Sequence, residues 1–455
     1  MSTRPKISWS DLRGATVGVW GLGVEGRASL ARLLAVGATP VLVDDRHHAD
    51  APGGVPVLTT AAGGLAELER CDVVVKSPGI SRYLPDAVRL RDAGVAIVGG
   101  LGLWLEEAPL GRVACITGTK GKSTTSAIAG HLLQRLGRTC LVGGNIGRPP
   151  WDPGAGDDHD YWVIETSSFQ ATDLSSSPPV VAVTSLHPDH LDWHGDVATY
   201  YADKLSACTQ PGADLTIADG TCEALRSHGS LLGPRVRWVP DDDGTAGGED
   251  DAGRSWWGRL GLLGAHNRRN AAIARSVLQA LGVPEADDEG ALVESAAGFP
   301  LLPSRLQRIG AVCGVDFVDD SLSTNALPAL AALQTFGDRR VALLAGGHDR
   351  GIDYAPLAEG VARRDRPTLV VTMPGSGPRI GAAVLARSGD RCEVVHCDDL
   401  RSATLTGFEW ARPDGVVLLS PASPSFGAFR DFRERSAAFA AAMRSCEPAG
   451  APPLG

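Results

Sequence analysis

The chain has 455 residues, which at a typical ~150 residues per domain allows about three domains, and its 43% apolar content is ordinary for a globular protein. A formal net charge of -10 with no long basic run argues against a general nucleic-acid binder and against attachment to an anionic membrane surface. The N-terminal thirteen residues lack an apolar signal core, no stretch is long and apolar enough to span a bilayer, and the nine cysteines form no CxxC pair, so a reducing cytoplasm is the expected location.

In chain order, apolar runs predict strands over residues 15–20, 40–43 and 71–76, with a helix over 26–34. This alternation implies a parallel sheet with helices on its faces. Between the first strand and the helix stands Gly21-Leu22-Gly23-Val24-Glu25-Gly26, and Asp44 and Asp45 end the next strand. Read alone this is a dinucleotide fingerprint of weak specificity, and a nicotinamide-dependent dehydrogenase is a fair rival for the segment. Residues 100–111 read as a linker.

A second α/β unit opens with a strand over 113–117, a glycine-rich turn and a helix over 123–136, followed by strands over 161–165 and 180–184. The turn is Gly118-Thr119-Lys120-Gly121-Lys122-Ser123-Thr124. Its glycines permit close backbone approach to a phosphate, and the helix N-terminus adds N–H groups and dipole. In this setting Lys122 reaches the β/γ-phosphates and the Ser123 hydroxyl can sit on Mg²⁺. The spacing G-x-x-G-K-S is shorter than the usual phosphate loop.

Glu165 ends the strand over 161–165, where an open α/β sheet places a metal ligand beside a phosphate loop, although taken singly it is as readily a turn residue. The run His187-Pro188-Asp189-His190-Leu191-Asp192-Trp193-His194-Gly195 invites a zinc reading, but no cysteine or further ligand at helical spacing completes one. Lys204, taken singly, is a surface lysine. His266-Asn267-Arg268-Arg269-Asn270 begins a helix. Residues 241–253, acidic and glycine-rich, read as a mobile surface loop. A third unit starts near Pro303, with strands over 341–345, 368–372 and 416–420, and the tail 448–455 is expected to be disordered. There is no internal repeat.

The shortened phosphate loop and the motifs after it, in this order, resemble the Mur ligase family, which also includes folylpolyglutamate synthases. The resemblance runs from Val17 to about Phe439. It implies an α/β fold of three domains. These are a Rossmann-like domain (1–110) for a uridine nucleotide substrate, a central P-loop ATPase-like domain with a mostly parallel sheet (111–300), and a C-terminal Rossmann-like domain (301–455) for glutamate. The implied activity is ATP-dependent amide formation, adding glutamate to UDP-N-acetylmuramoyl-L-alanine through an acyl phosphate.

Site roles follow from the same resemblance. ATP is to be held by Gly118, Thr119, Lys120, Gly121, Lys122, Ser123 and Thr124, with Asn267, Asn270, Arg305 and Asp320. Two Mg²⁺ ions are assigned to Ser123, Glu165, His190 and a carbamylated Lys204, and Lys122, His190 and Lys204 are the catalytic group. Because ATP contacts come from two domains, closure on binding is expected. Val24, Glu25, Asp44, Asp45, Arg46, Ser77, Pro78, Gly79 and Asn145 match contacts to the UDP substrate. Thr324, Arg350, Ser425, Phe426 and Phe432 match contacts to glutamate, Arg350 standing where a lysine is usual.

Within the family, Asp320-Ser321-Leu322-Ser323-Thr324-Asn325 departs from the D-glutamate-adding pattern by placing Leu322 where a lysine is usual. With Glu25-Gly26-Arg27, Lys76 before Ser77, Gly118-Thr119-Lys120 and Asp192-Trp193-His194-Gly195, it looks more like the L-glutamate-adding subfamily, with D-specificity the alternative. The expected partners are the three small substrates, with no nucleic acid or membrane, in a monomer linked in function to a glutamate epimerase. A folylpolyglutamate-type ligase, a dehydrogenase and a non-catalytic nucleotide binder remain as rivals. The last should have lost Lys122, Glu165 or Lys204, which are all present.

Overall fold

The computed structural model describes residues 4–46, 54–239, 255–388 and 392–447, so the loop expected at 241–253 and the tail at 448–455 lie outside the described residues. The chain forms two compact units, residues 1–259 with 269–299, and residues 260–268 with 300–455. The expected boundary at residue 110 lies inside the first of them.

In the first unit, β1 (Val17–Trp20), β2 (Val41–Val43), β3 (Val57–Leu58), β4 (Val73–Lys76) and β5 (Ala96–Val98) make a parallel sheet of order β3-β2-β1-β4-β5. A second parallel sheet contains β6 (Val113–Thr117), β7 (Cys140–Gly144), β8 (Tyr161–Glu165), β9 (Val180–Val183), β10 (Leu215–Asp219) and β11 (Val236–Val239), in the order β11-β10-β9-β6-β8-β7. The central strands β1, β4, β6 and β9 are buried on both faces. That is why they read as unbroken apolar runs and not as alternating patterns.

One apolar core joins the two sheets of this unit, from Val19 and Leu30 through Leu101, Trp104 and Trp151 to Cys115 and Ile164. The linker reading of residues 100–111 is corrected here. Gly100–Leu105 is a helix whose six residues are all buried. Its glycines allow close packing, a Cβ on Gly100 standing 2.5 Å from the Trp151 ring. Composition had marked the segment as loose, and burial of Leu101, Leu103 and Leu105 overrides that signal.

In the second unit, β12 (Gln307–Val312), β13 (Val315–Asp319), β14 (Val341–Gly347), β15 (Thr368–Gly375), β16 (Glu393–His396) and β17 (Val416–Leu419) form a sheet of order β12-β13-β17-β14-β15-β16. The edge pair β12–β13 is antiparallel and the remaining pairs are parallel. Among the described residues no helix is long and apolar enough to cross a membrane.

Candidate active site

The phosphate loop connects β6 to the helix Lys122–Arg135. Gly118 and Gly121 adopt φ of 131° and 91°, a region that disfavours a side chain. A Cβ on Gly121 would stand 2.5 Å from Asn270 Oδ1, so the loop packs directly on the asparagine assigned to ATP. Thr125 N–H closes the first helical turn on Gly121 O at 2.9 Å. Lys122 Nζ curls over the loop and donates to Gly118 O (2.9 Å) and Thr119 O (3.3 Å). Lys120 N–H donates to Ser185 Oγ (2.8 Å), and its ammonium pairs with Asp189 (3.3 Å). Ser123 and Thr124 are the second and third residues of the helix.

Three segments bring the assigned metal residues to this loop. Glu165 ends β8 and is 1% exposed. Its Oε1 accepts from Asn145 Nδ2 (2.7 Å), while Oε2 is buried without a hydrogen-bond partner among the described residues. An orphaned buried carboxylate oxygen is costly unless a cation meets it, so Glu165 fits a divalent ion. Lys204 lies near the end of the helix Val197–Leu205, is 2% exposed, and its Nζ donates to Gly118 O (3.1 Å). Burial, with Lys122 close by, pushes its ammonium well below the ordinary lysine range. A lysine in this position is not the surface residue its sequence alone allowed.

His190 precedes the short helix Leu191–His194 with φ 52°, half-exposed and edge-on to Phe169 at 5.0 Å. Partial burial lowers the imidazole pKa from the usual histidine value, with Asp189 opposing; a neutral imidazole nitrogen is the form that ligates a metal. Among the described residues no three His, Cys, Asp or Glu side chains cluster as a ready-made cage. Mg²⁺ suits such a site, because it takes one or two carboxylates and fills its remaining positions with water and substrate phosphate.

Most residues assigned to the UDP substrate gather at the C-terminal ends of β1, β2 and β4, where the strand order reverses. Ser77 Oγ donates to Gly21 O (2.7 Å). Asp44 accepts from the N–H groups of Leu22 and Arg46, and Asp45 from Thr60 N–H (2.8 Å). Val24 is exposed beside this turn. Glu25 Oε1 accepts from Gln170 Nε2 (2.8 Å), and burial pushes its carboxyl up to about 8. Asn145, matched to a substrate loop of the second sheet, sits after β7 against Glu165.

In the second unit, the Arg305 and Asp320 loops are joined. Leu306 N–H donates to Asp320 Oδ1 (3.1 Å), and Ser420 Oγ donates to Oδ2 (2.7 Å). Burial pushes the Asp320 carboxyl up to about 7. Arg350 Nη2 donates to Thr324 O (2.9 Å), which brings two of the assigned glutamate residues together. Ser425 is buried, Phe426 is exposed, and Phe432 starts the helix Phe432–Arg444. Asn267 Nδ2 donates to Leu263 O (2.8 Å).

Sequence reasoning gave no bonding role to several polar residues built into these loops, although Lys76 and His194 stood within its motifs. Lys76 and Asp173 form a buried ion pair (2.9 Å). His194, Asp203, Ser168 and Tyr83 are linked by hydrogen bonds. Arg435, 2% exposed, donates to Ser321 O (2.6 Å) and Ser423 O (3.1 Å). The signal for such residues is faint, since one charged residue in a helix looks like part of a solvated face.

Comparison with known proteins finds relatives over nearly the whole length of the chain. The Mur ligase middle domain matches residues 116–219, and the domain described as "Mur ligase, glutamate ligase domain" matches 304–423. A UDP-N-acetylmuramoyl-L-alanine–L-glutamate ligase of Micromonospora sp. is 42% identical, the match covering 96% of this chain and 98% of the relative. A protein of the same name from Xanthomonas euvesicatoria pv. vesicatoria is 39% identical, covering 95% of each chain. Among solved structures, MurF from Acinetobacter baumannii is similar in fold, with TM-score 0.59 at 15% identity over 96% of this chain and 92% of its own. The UDP-N-acetylmuramate–alanine ligase MurC of Thermotoga maritima gives 0.55 at 19% identity, over 95% of this chain and 100% of its own.

Proposed function

The chain belongs to the Mur ligase family, and from that premise we propose that it is the ATP-dependent ligase joining L-glutamate to UDP-N-acetylmuramoyl-L-alanine. The observation that carries this reading is 42% identity across 96% of the chain to a ligase of that name. Leu322, in place of a cation in Asp320–Asn325, supports the L-enantiomer.

In this reading the substrate carboxylate attacks the γ-phosphorus of ATP, the bond to the β-phosphate oxygen breaks, and an acyl phosphate forms as ADP leaves. Lys122 and the helix N–H groups neutralise charge spreading over the transferred phosphoryl group. The glutamate amine then attacks the acyl carbonyl, and the tetrahedral intermediate collapses to the amide with loss of phosphate. Ser123, Glu165, His190 and Lys204 as its carbamate would hold Mg²⁺, which supplies charge neutralisation between phosphate oxygens. The neutral amine that burial favours at Lys204 is the form that adds CO₂. Arg350 offers a bidentate partner to one glutamate carboxylate, with Thr324, Ser425, Phe426 and Phe432 around the other groups. Asn267, Asn270, Arg305 and Asp320 serve adenine, ribose and phosphates. The turn at Gly21–Gly26 with Asp44, Asp45, Arg46, Ser77, Pro78 and Gly79 takes the uridine nucleotide.

We assign the enzyme to the cytoplasm, where its nine free cysteines remain reduced. It would act as a monomer upstream of an epimerase that inverts the new residue. The test is phosphate release with each substrate omitted in turn. Release should require ATP, Mg²⁺, UDP-N-acetylmuramoyl-L-alanine and glutamate together. The UDP substrate, and not NAD, should protect the protein thermally. Equal protection by NAD would restore the dehydrogenase reading of the first sheet.

A further inference from the structure

Four side chains outside the assigned chemistry form one hydrogen-bonded chain in the first unit. Tyr83 OH donates to both oxygens of Asp203 at 2.9 Å. Asp203 Oδ2 lies 2.7 Å from His194 Nδ1, and His194 Nε2 lies 3.0 Å from Ser168 Oγ. The order Ser–His–Asp is that of an acyl-transfer triad. Ser168 is 2% exposed, however, so no acyl carbonyl can reach its hydroxyl.

The sequence positions of the members show what the chain of bonds does instead. Ser168 follows Glu165 by three residues and His194 follows His190 by four, while Asp203 immediately precedes Lys204. His194 N–H also donates to His190 O (3.1 Å). Tyr83 lies just beyond the loop containing Ser77, Pro78 and Gly79. That loop is pinned to the histidine segment by Ser81 Oγ on Trp193 O (3.0 Å) and by the Tyr83 ring edge-on to Trp193 at 5.9 Å. Burying a carboxylate–imidazole pair costs desolvation, which only specific geometry repays.

We propose that His194, with Asp203, is a positioning residue: the bonds from Tyr83 to Ser168 fix the three segments that carry Glu165, His190 and Lys204 relative to one another and to the uridine-side loop. The proposal rests on the roles given above to those three residues. Its mechanical content is simple. Asp203 and Lys204 are neighbours on the helix Val197–Leu205, so anchoring the Asp203 carboxylate sets the rotation of that helix and the direction of the Lys204 side chain.

The test uses full-length His194→Ala, His194→Asn, His194→Gln, Tyr83→Phe and Lys204→Ala. For each, kcat, KM for ATP, Tm and amide exchange in the helix Val197–Leu205 are measured. Asn places an amide nitrogen where Nδ1 stood and keeps the bond to Asp203, whereas Gln reaches only toward Ser168. A displacement of ~1 Å costs about 10²-fold in rate. His194→Ala and His194→Gln should therefore lose about 30- to 100-fold in kcat, with KM for ATP changed less than about threefold and faster exchange in the helix. His194→Asn should recover about tenfold of that loss. Tyr83→Phe should lose about three- to tenfold in kcat with Tm held within about 2 °C. Folded His194→Ala with kcat within about twofold of the parent overturns the proposal, as does Asn performing no better than Gln. If His194→Ala does not fold, an unchanged kcat in Tyr83→Phe overturns it. Full turnover by Lys204→Ala would instead defeat the metal assignment beneath it. An inactive Lys204→Ala beside a normal His194→Ala would defeat the positioning role alone.

Discussion

Lys204 Nζ donates to the carbonyl oxygen of Gly118, the first residue of the phosphate loop, at 3.1 Å across a sequence separation of 86 residues. A lysine buried against this loop, with Glu165 also ending there, would set a positive charge beside Mg²⁺ unless it is carbamylated. Lys204→Ala should lower turnover by about 10²-fold or more, and short carboxylic acids should restore part of it by replacing the missing oxygen ligand. Phosphate release measured with and without added formate or acetate checks this. Absence of rescue by any such acid would count against the carbamate.

Lys122 is half-buried and already turned over the loop carbonyls, with no part in the apolar core. Lys122→Ala should fold normally and lose on the order of 10²- to 10⁴-fold in rate. Near-normal phosphate release by a folded variant would remove the loop from the mechanism.

Glu25 gives a pH signature. Its carboxyl pKa is raised from 4.5 to about 8, first by burial, with the Gln170 amide and Lys76 opposing. The folded state therefore favours the neutral acid. Its contribution to stability is complete below about pH 4.5 and is lost as pH rises through about 8. Glu25→Gln cannot ionise, so its stability should fall less steeply between pH 5 and 9. At the alkaline end it should exceed the parent by on the order of a few kcal/mol. Parallel denaturation curves for the two proteins across that range would show that Glu25 is not the group responsible.

The parts of this molecule legible in the sequence are those whose chemistry is local. The strand–loop–helix at 113–135 was readable because glycine, lysine and serine must be adjacent to cradle a phosphate, and β6 and β8 fall where their apolar runs stand. β7 and β10 escaped because short strands containing glycine or ending in aspartate carry little periodic signal. Gly100–Leu105 was misread because glycine content spoke for flexibility, while the packing of Trp151 on Gly100 is a contact across 51 positions. The Tyr83–Asp203–His194–Ser168 chain is likewise non-local, and no spacing rule connects residues 83 and 203.

Arg435 illustrates the same point in the second unit and yields a separate expectation. Burial lowers its pKa to about 10, leaving it charged at neutral pH, where it ties the loops of Ser321 and Ser423 together. Arg435→Met would leave both carbonyls without their donor and should cost roughly 2–4 kcal/mol, with a raised KM for glutamate. Denaturant unfolding and glutamate titration check the two effects. Unchanged stability would mean the loops hold themselves.

The activity and its stereochemistry come together in one measurement. The enzyme is incubated with ATP, Mg²⁺ and UDP-N-acetylmuramoyl-L-alanine, with either L-glutamate or D-glutamate, and phosphate release and the mass of the nucleotide product are followed. In the proposed site, Arg350 and the Thr324 and Ser425 loops would fix the two carboxylates and leave the α-amine as the group that inversion displaces. A displacement of ~1 Å costs about 10²-fold, so the preference should be sharp. Stoichiometric phosphate and dipeptide product with L-glutamate, and about 10²-fold less with D-glutamate, is the expected result. Turnover with D-glutamate alone would contradict the L-specific assignment, and turnover with neither enantiomer would contradict the glutamate ligase itself.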